Sequence, residues 1–251
     1  MMRRSRASVR AMRFLDIAER VLGRTIELPH NVSALTALRY YQQKALVPFL
    51  RGLTRAPFLR GVRLPIFVGD GVEIRFASLL TCGKAVSLGD RVRIDALSTR
   101  GVVLGNRVTL REGTIIQLTS HLSNLGDMVV IEDDVYIGPN AFIGAGARIR
   151  IGQRTLVGPR LTIIAEEHRT DGAQSISDQG VTRSGVDIGH NCWIGACVTI
   201  LDGVSVGPGS VIGAGSVVTH SLPAGSVAYG VPARVRRSRV PSEPIVGELG
   251  P

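Results

Sequence analysis

The stretch Ile188-Gly-His-Asn-Cys-Trp-Ile194-Gly-Ala-Cys-Val-Thr-Ile200 sets the beat of this chain. The same six-residue step continues through Val206, Ile212 and Val218, and glycine follows at Gly189, Gly195, Gly207 and Gly213. Upstream, Ile131, Ile137, Ile143 and Ile149 keep the step, and a shift of two restarts it at Ile151, Val157 and Ile163. A period of six matches neither the 3.6-residue repeat of an amphipathic helix nor the two-residue alternation of a half-buried strand. It matches short strands joined by tight turns, three to a coil, with the β-branched residue inward and a small residue at the turn. Coils of this kind stack at strand spacing, about 4.8 Å, and build a core from nearest-neighbour aliphatic layers. An antiparallel sandwich would show alternation and variable turns instead.

The beat stops at Ile163-Ile-Ala-Glu-Glu-His168 and returns at Ile188. The intervening stretch, Arg169 to Asp187, is predicted to leave the coil as one long loop, with His168 at the corner where it departs. A loop of that length in a compact repeat is usually functional.

Three further segments name a resemblance. Cys192-Trp-Ile-Gly-Ala196, Val211-Ile-Gly-Ala-Gly-Ser-Val-Val-Thr219 and Tyr229-Gly-Val-Pro-Ala-Arg234 resemble the C-terminal signature of the hexapeptide-repeat acyltransferases, and the likeness extends over about residues 68–237. The resemblance implies an all-β fold, a left-handed parallel β-helix, which is an exception to the right-handed crossover rule. It also implies a homotrimer with active sites between subunits and acetyl-CoA, or another acyl-CoA, as co-substrate, with no metal. The loop segment Asp178-Gln-Gly-Val-Thr182 is similar to the branch that contains maltose and galactoside acetyltransferases and polysaccharide O-acetyltransferases of the colanic-acid type. The implied acceptor is then a sugar or cell-surface polysaccharide precursor.

By the same resemblance, His168 stands where the family has its catalytic histidine. The backbone N–H of Ala196 stands where it has its oxyanion donor, and the Ala214 amide, 18 residues on, where it has a donor to the pantetheine arm. Trp193, Gly195 and Gly213 belong to that segment. Thr219, His220, Val231, Pro232, Arg234 and Arg237 are implied for the nucleotide end of coenzyme A, with Arg236 beside them. Relatives often carry lysine where this chain has His220. Asp178 and Gln179 are implied for the acceptor.

The chemistry suits these residue types. An alcohol is a poor nucleophile at neutral pH, and imidazole, with an ordinary pKa of about 6.5, takes its proton as it attacks a thioester. The tetrahedral intermediate needs a preorganised donor for its oxyanion. Glu166 shares the strand face of His168 and is the expected orienting acid. His121 lies in an earlier irregularity, residues 119–128, and either reaches the acceptor or decorates a loop. His190 falls at a solvated turn.

Charge is uneven. Residues 1–65 hold 13 Lys+Arg and 3 Asp+Glu, a net +10, while residues 66–251 hold 17 of each. This basic segment is predicted helical, from Asp16 to Leu22 and from Ser33 (the N-cap) to Leu53, with a break at Pro48. It either caps the first coil, whose open edge invites aggregation, or rests on anionic lipid. Nucleic acid is disfavoured, because no binding motif accompanies the charge. The organisation expected is a basic helical segment over 1–65, an acyltransferase domain over 66–237 with its loop at 169–187, and a flexible tail over 238–251.

Cys82, Cys192 and Cys197 have no metal or redox spacing and point to a reducing compartment. Without a signal peptide or an apolar run of about twenty residues, the expectation is a cytoplasmic protein, either free or peripheral to the inner face of the membrane. Three readings compete with an O-acyltransferase. An N-acetyltransferase or a non-catalytic scaffold would share the fold. A γ-type carbonic anhydrase would need three clustered histidines, and the nearest pair suited to it, His168 and His190, is 22 residues apart.

Overall fold

The computed structural model describes residues 32–59, 61–119 and 121–239. The expected Asp16–Leu22 helix and the tail beyond Arg239 lie outside them.

Residues 66–239 wind into a three-sided prism. Each side is a mostly parallel sheet of two- to six-residue strands, and successive strands pass from one face to the next. Face I starts at Ile66–Val68, face II at Glu73–Arg75 and face III at Leu80–Cys82. The predicted inward residues are in register. Ile137 pairs with Val157, Val157 with Ile194 and Ile194 with Ile212 along face I. Nearly all are fully buried, so the core is a column of Ile, Val and Leu down the prism axis.

The three edges behave differently. From face I to face II, and from face III to face I, the inward residue always recurs after six positions, as from Val157 to Ile163 and from Ile188 to Ile194. Most of these turns place a residue in the left-handed region: Arg107, Asp134, Asn140, Arg154, Arg160, Asn191 and Cys197 among them. The passage from face II to face III varies. It runs from Ile94 to Leu104, Ile116 to Ile131, Ile143 to Ile151, Ile163 to Ile188 and, at its shortest, Val218 to Leu222. All excess chain is therefore extruded along one edge. The two-residue phase shift in the sequence is the passage from Ile143 to Ile151. The uniform 18-residue coil is met only where Ile188, Ile194 and Ile200 stack under Val206, Ile212 and Val218.

The segment before the prism is helical from Ala34 to Arg55: α1 (Ala34–Tyr41), a π-helical turn (Gln42–Leu46) and α2 (Val47–Arg55). Ser33 caps it, its Oγ accepting from the Thr36 amide at 3.1 Å. Pro48 does not break the helix as expected. It sits in the first turn of α2, and the π turn before it opens the hydrogen-bond ladder where a proline ring would collide with the carbonyl four residues back. The helix packs on the first face I strand through Gly52, where a Cβ would fall 2.0 Å from the Ile66 carbonyl oxygen, and through Phe49, 6.1 Å from Phe67. Among the described residues no helix is long and apolar enough to cross a membrane.

Candidate functional site

Both histidines of interest ride on the irregular edge. His121 lies in the passage from Ile116 to Ile131, where the Asn124 amide donates to its carbonyl at 3.0 Å. His168 lies two coils further along. It is not at a prism corner, as expected. The chain has already left the coil after Ala165, whose carbonyl accepts from the Ala147 amide at 2.8 Å. Glu167–His168 then forms a projecting antiparallel ribbon with Val181–Thr182, and His168 faces Val181 across it. The imidazole is exposed. The chain rejoins the prism at Val186, paired with Ile149, two residues before Ile188. The excursion therefore spans 166–185.

Glu166 does not turn to His168. Its carboxylate accepts from Arg183, with Nε at 2.7 Å, and Arg183 also donates through Nη1 to the Leu125 carbonyl at 3.0 Å. One guanidinium thus joins the base of the His168 ribbon to the His121 loop. Gly146 leaves the necessary room: a Cβ there would lie 2.5 Å from Glu166 Oε2. Sequence reading missed Arg183, because a cross-loop partner 17 residues from Glu166 leaves no local spacing signal.

Gln179 also differs from expectation. Its side-chain oxygen accepts from the Gly172 amide at 2.9 Å, and its nitrogen donates to the Gly172 and Gln174 carbonyls at 3.2 and 2.8 Å. It closes the loop tip on itself and has little capacity left for an acceptor. Asp178 is exposed in the short Ile176–Asp178 helical turn, accepting from Ser177 Oγ at 3.2 Å.

The edge between faces I and II carries the rest. Ala196 and Ala214 occupy equivalent turn positions on successive coils, tied by the Gly215 amide donating to the Ala196 carbonyl at 2.8 Å. Neither the Ala196 nor the Ala214 amide donates a hydrogen bond among the described residues. Gly195 and Gly213 precede them, and the stacking is close: a Cβ on Gly195 would lie 2.5 Å from the Ala214 nitrogen. Above them a hairpin, Ser226–Gly230 with Ala233–Ser238, extends face I, and Val231-Pro232 forms its tip. Ser216 pins it there, its Oγ donating to the Gly213 carbonyl at 2.6 Å and accepting from the Gly230 amide at 3.2 Å. Arg234, Arg236 and Arg237 are exposed on the second hairpin strand, and Arg236 lies 5.3 Å from the Tyr229 ring centre. Trp193 is 59% exposed on face I between Leu156 and Val211.

Two residues do not join this group. Thr219 and His220, linked at 2.8 Å through Thr219 Oγ1 and His220 Nδ1, sit across face II on the irregular edge. The face II strand Val217–Val218 separates them from the Ala214 turn. The same face separates the His168 ribbon from Ala196. Among the described residues no group of three potential metal ligands occurs. Burial pushes the Cys82 thiol up to about 12 and raises that of Cys192, while Cys197 is exposed beside Ala196.

The repeats match a known family. Residues 185–220 fit the bacterial transferase hexapeptide (six repeats). A probable acetyltransferase of Mycobacterium tuberculosis is 32% identical over 178 residues, covering 69% of this chain and 50% of that protein. The galactoside O-acetyltransferase of Escherichia coli K12 is 56% identical over 52 residues, 21% of this chain and 26% of that one. A solved maltose O-acetyltransferase from Clostridium difficile 630 is 18% identical with a TM-score of 0.41, covering 93% of this chain and 89% of that one. The chain is similar to the hexapeptide-repeat transferases, whose repeat it carries over residues 185–220. It spans half the length of the Mycobacterium relative and about a quarter of the E. coli one.

Proposed function

We propose that this chain is an acyl-CoA-dependent O-acyltransferase, transferring an acetyl group directly to a hydroxyl of a sugar or polysaccharide precursor, with residues 66–237 as the acyltransferase domain. The coil is assigned the left-handed sense of the family. The single observation that carries the reading is the pair of unengaged amides at Ala196 and Ala214. They stack one coil apart, on an edge kept narrow by glycine and roofed by the Val231-Pro232 tip. Such amides suit a thioester oxygen and an amide-bearing pantetheine arm. Arg234, Arg236 and Arg237 supply cations for phosphates beside them.

In the proposed reaction the acceptor hydroxyl attacks the thioester carbonyl, and the His168 imidazole takes the hydroxyl proton. The Ala196 amide meets the oxyanion. The C–S bond then breaks, an ester remains on the acceptor, and coenzyme A leaves as the thiol with the proton. One chain holds the amides and the imidazole on opposite edges of face II. That separation supports a homotrimer in which the irregular edge of one subunit meets the amide edge of the next. His220 is then better placed against the neighbouring subunit's cofactor than its own.

The test uses proline as an amide eraser. Pro139 and Pro159 occupy the Ala196 turn position on earlier coils of the same edge, so the backbone there tolerates proline. Ala196→Pro is expected to fold normally and lose roughly 10²–10³ in turnover, read as free thiol released from acetyl-CoA in the presence of a sugar acceptor. Ala214→Pro is expected to weaken coenzyme A binding. Unchanged turnover and binding in both variants would overturn the reading.

A further inference from the structure

The helix before the prism is amphipathic in an inverted sense. Among its described side chains the buried positions are small: Ala37, Ala45 and Gly52 face the protein. Phe49 packs inward on Phe67, but several other large apolar side chains face out. Tyr40, Leu46, Val47, Leu50 and Leu53 are all exposed, Leu50 at 51%. At 100° per residue, Val47, Leu50 and Leu53 fall on one continuous arc opposite Gly52. Lys44, Arg51 and Arg55 fall together along one margin of that arc. Arg51 meets Asp70 at 3.0 Å, and Arg55 donates to the Val72 carbonyl at 2.6 Å, so the margin is anchored to the first coil.

The helix itself carries charge of one sign, while Asp70 of the first coil pairs with Arg51 and Glu112 lies near Lys44. No aspartate or glutamate occurs between Glu27 and Asp70. The whole net charge of the chain, +10, resides in residues 1–65, and the remainder is neutral. Capping the first coil accounts for the small inner face of the helix. It does not account for an apolar outer face bordered by cations.

We infer that the outer face of residues 34–55 docks on an anionic phospholipid surface. A nucleic acid would satisfy the cations and leave Leu46, Val47, Leu50 and Leu53 in water. A second copy of this chain would cover the leucines but bring one +10 segment against another. An anionic bilayer meets both features: its headgroups face the basic margin and its acyl boundary receives the leucines. This docking is independent of the acyl-transfer chemistry. It would hold the prism at a membrane surface, where a lipid-linked acceptor would be within reach.

The experiment is sedimentation of the full chain with extruded vesicles of phosphatidylcholine alone or with about 30% phosphatidylglycerol, a level that gives a strongly negative surface. Binding is expected only to the anionic vesicles. It should fall at least fivefold between about 50 mM and 500 mM salt as the Debye length shortens. Leu50→Ser combined with Leu53→Ser is expected to lower binding about tenfold at low salt, with the circular dichroism and solution mass of the chain unchanged. Three results would overturn the inference. The wild-type chain stays in the supernatant with anionic vesicles. The double variant binds as the wild type does, showing charge attraction alone. Or the double variant changes the oligomeric mass, showing that another copy covers this face.

Discussion

Arg183 and Glu166 form the brace between the two histidine-bearing loops, with Arg183 Nε 2.7 Å from Glu166 Oε2 and its Nη1 3.0 Å from the Leu125 carbonyl. Both side chains are partly buried, so the pair is shielded more than an ordinary surface bridge. Removing it frees the ribbon without touching the aliphatic column. Arg183→Ala is expected to keep the melting temperature within a few degrees and to speed proteolysis within 166–185. Turnover should fall about tenfold, because a loosened base no longer meets the acceptor in a reactive pose. Arg183→Lys, which keeps the charge but not the forked donors, should recover only part of this. Wild-type turnover with accelerated proteolysis would show that the brace is structural only.

The proposed base has its own test. His168→Ala should fold and bind coenzyme A normally, since His168 lies on a projecting ribbon away from the core and from Ala196. Turnover should fall by roughly 10²–10⁴. Refolding a mixture of His168→Ala and Ala196→Pro chains should then restore a fraction of the activity, because some subunit junctions would pair an intact ribbon with an intact amide. Activity that never exceeds the sum of the two separate variants would place the whole site within one chain.

Thiol chemistry separates the three cysteines. The Cys82 thiol, held near 12 by burial, and the buried Cys192, raised for the same reason, are expected to resist iodoacetamide in the native protein. Cys197 is exposed beside Ala196 and should be the site alkylated, as read by peptide mass mapping. Saturating coenzyme A should slow that reaction several-fold. Equal labelling with and without coenzyme A would argue against the amide edge as its seat.

Acid stability offers a smaller, sharper effect. The Arg107 guanidinium beside Asp134 holds that carboxyl below the usual carboxylate range, chiefly through their hydrogen bond. A depressed folded pKa gives stability that is present above the ordinary value, about 3.9, and is lost as the pH falls below it towards the folded value. The pair is largely exposed, so about 0.5 kcal/mol is at stake. Asp134 also sits in the left-handed region, at φ 61°, which asparagine tolerates. Asp134→Asn should therefore lower stability by that amount at pH 7 and converge with the wild type below about pH 3, measured by urea unfolding. Asp134→Val should cost more at every pH, because a β-branched residue is strained there.

The sequence carried the coil because its cause is local and repeated. Each of Ile188, Ile194 and Ile200 marks one inward position, and a one-residue slip would turn it to solvent, so the spacing alone fixes which side chains fill the column. The stacking of Ala196 under Ala214 was legible for the same reason. What tertiary structure decided is where the excess chain goes and what it meets. No period announces that the passages from Ile94, Ile116, Ile143 and Ile163 all open on one edge, or that the amides of Ala196 and Ala214 stand on another. His168 read as a corner residue because the beat was extrapolated past Ala165. Glu166 read as its partner because strand alternation put them on one face, whereas a charged guanidinium brought across the loop offered Glu166 a stronger bond. Pro48 read as a break because its missing N–H is a local fact, while the π turn that absorbs it depends on the whole helix lying on face I. Contacts between distant segments are set by the packing of the finished prism, and no single stretch of chain encodes that packing.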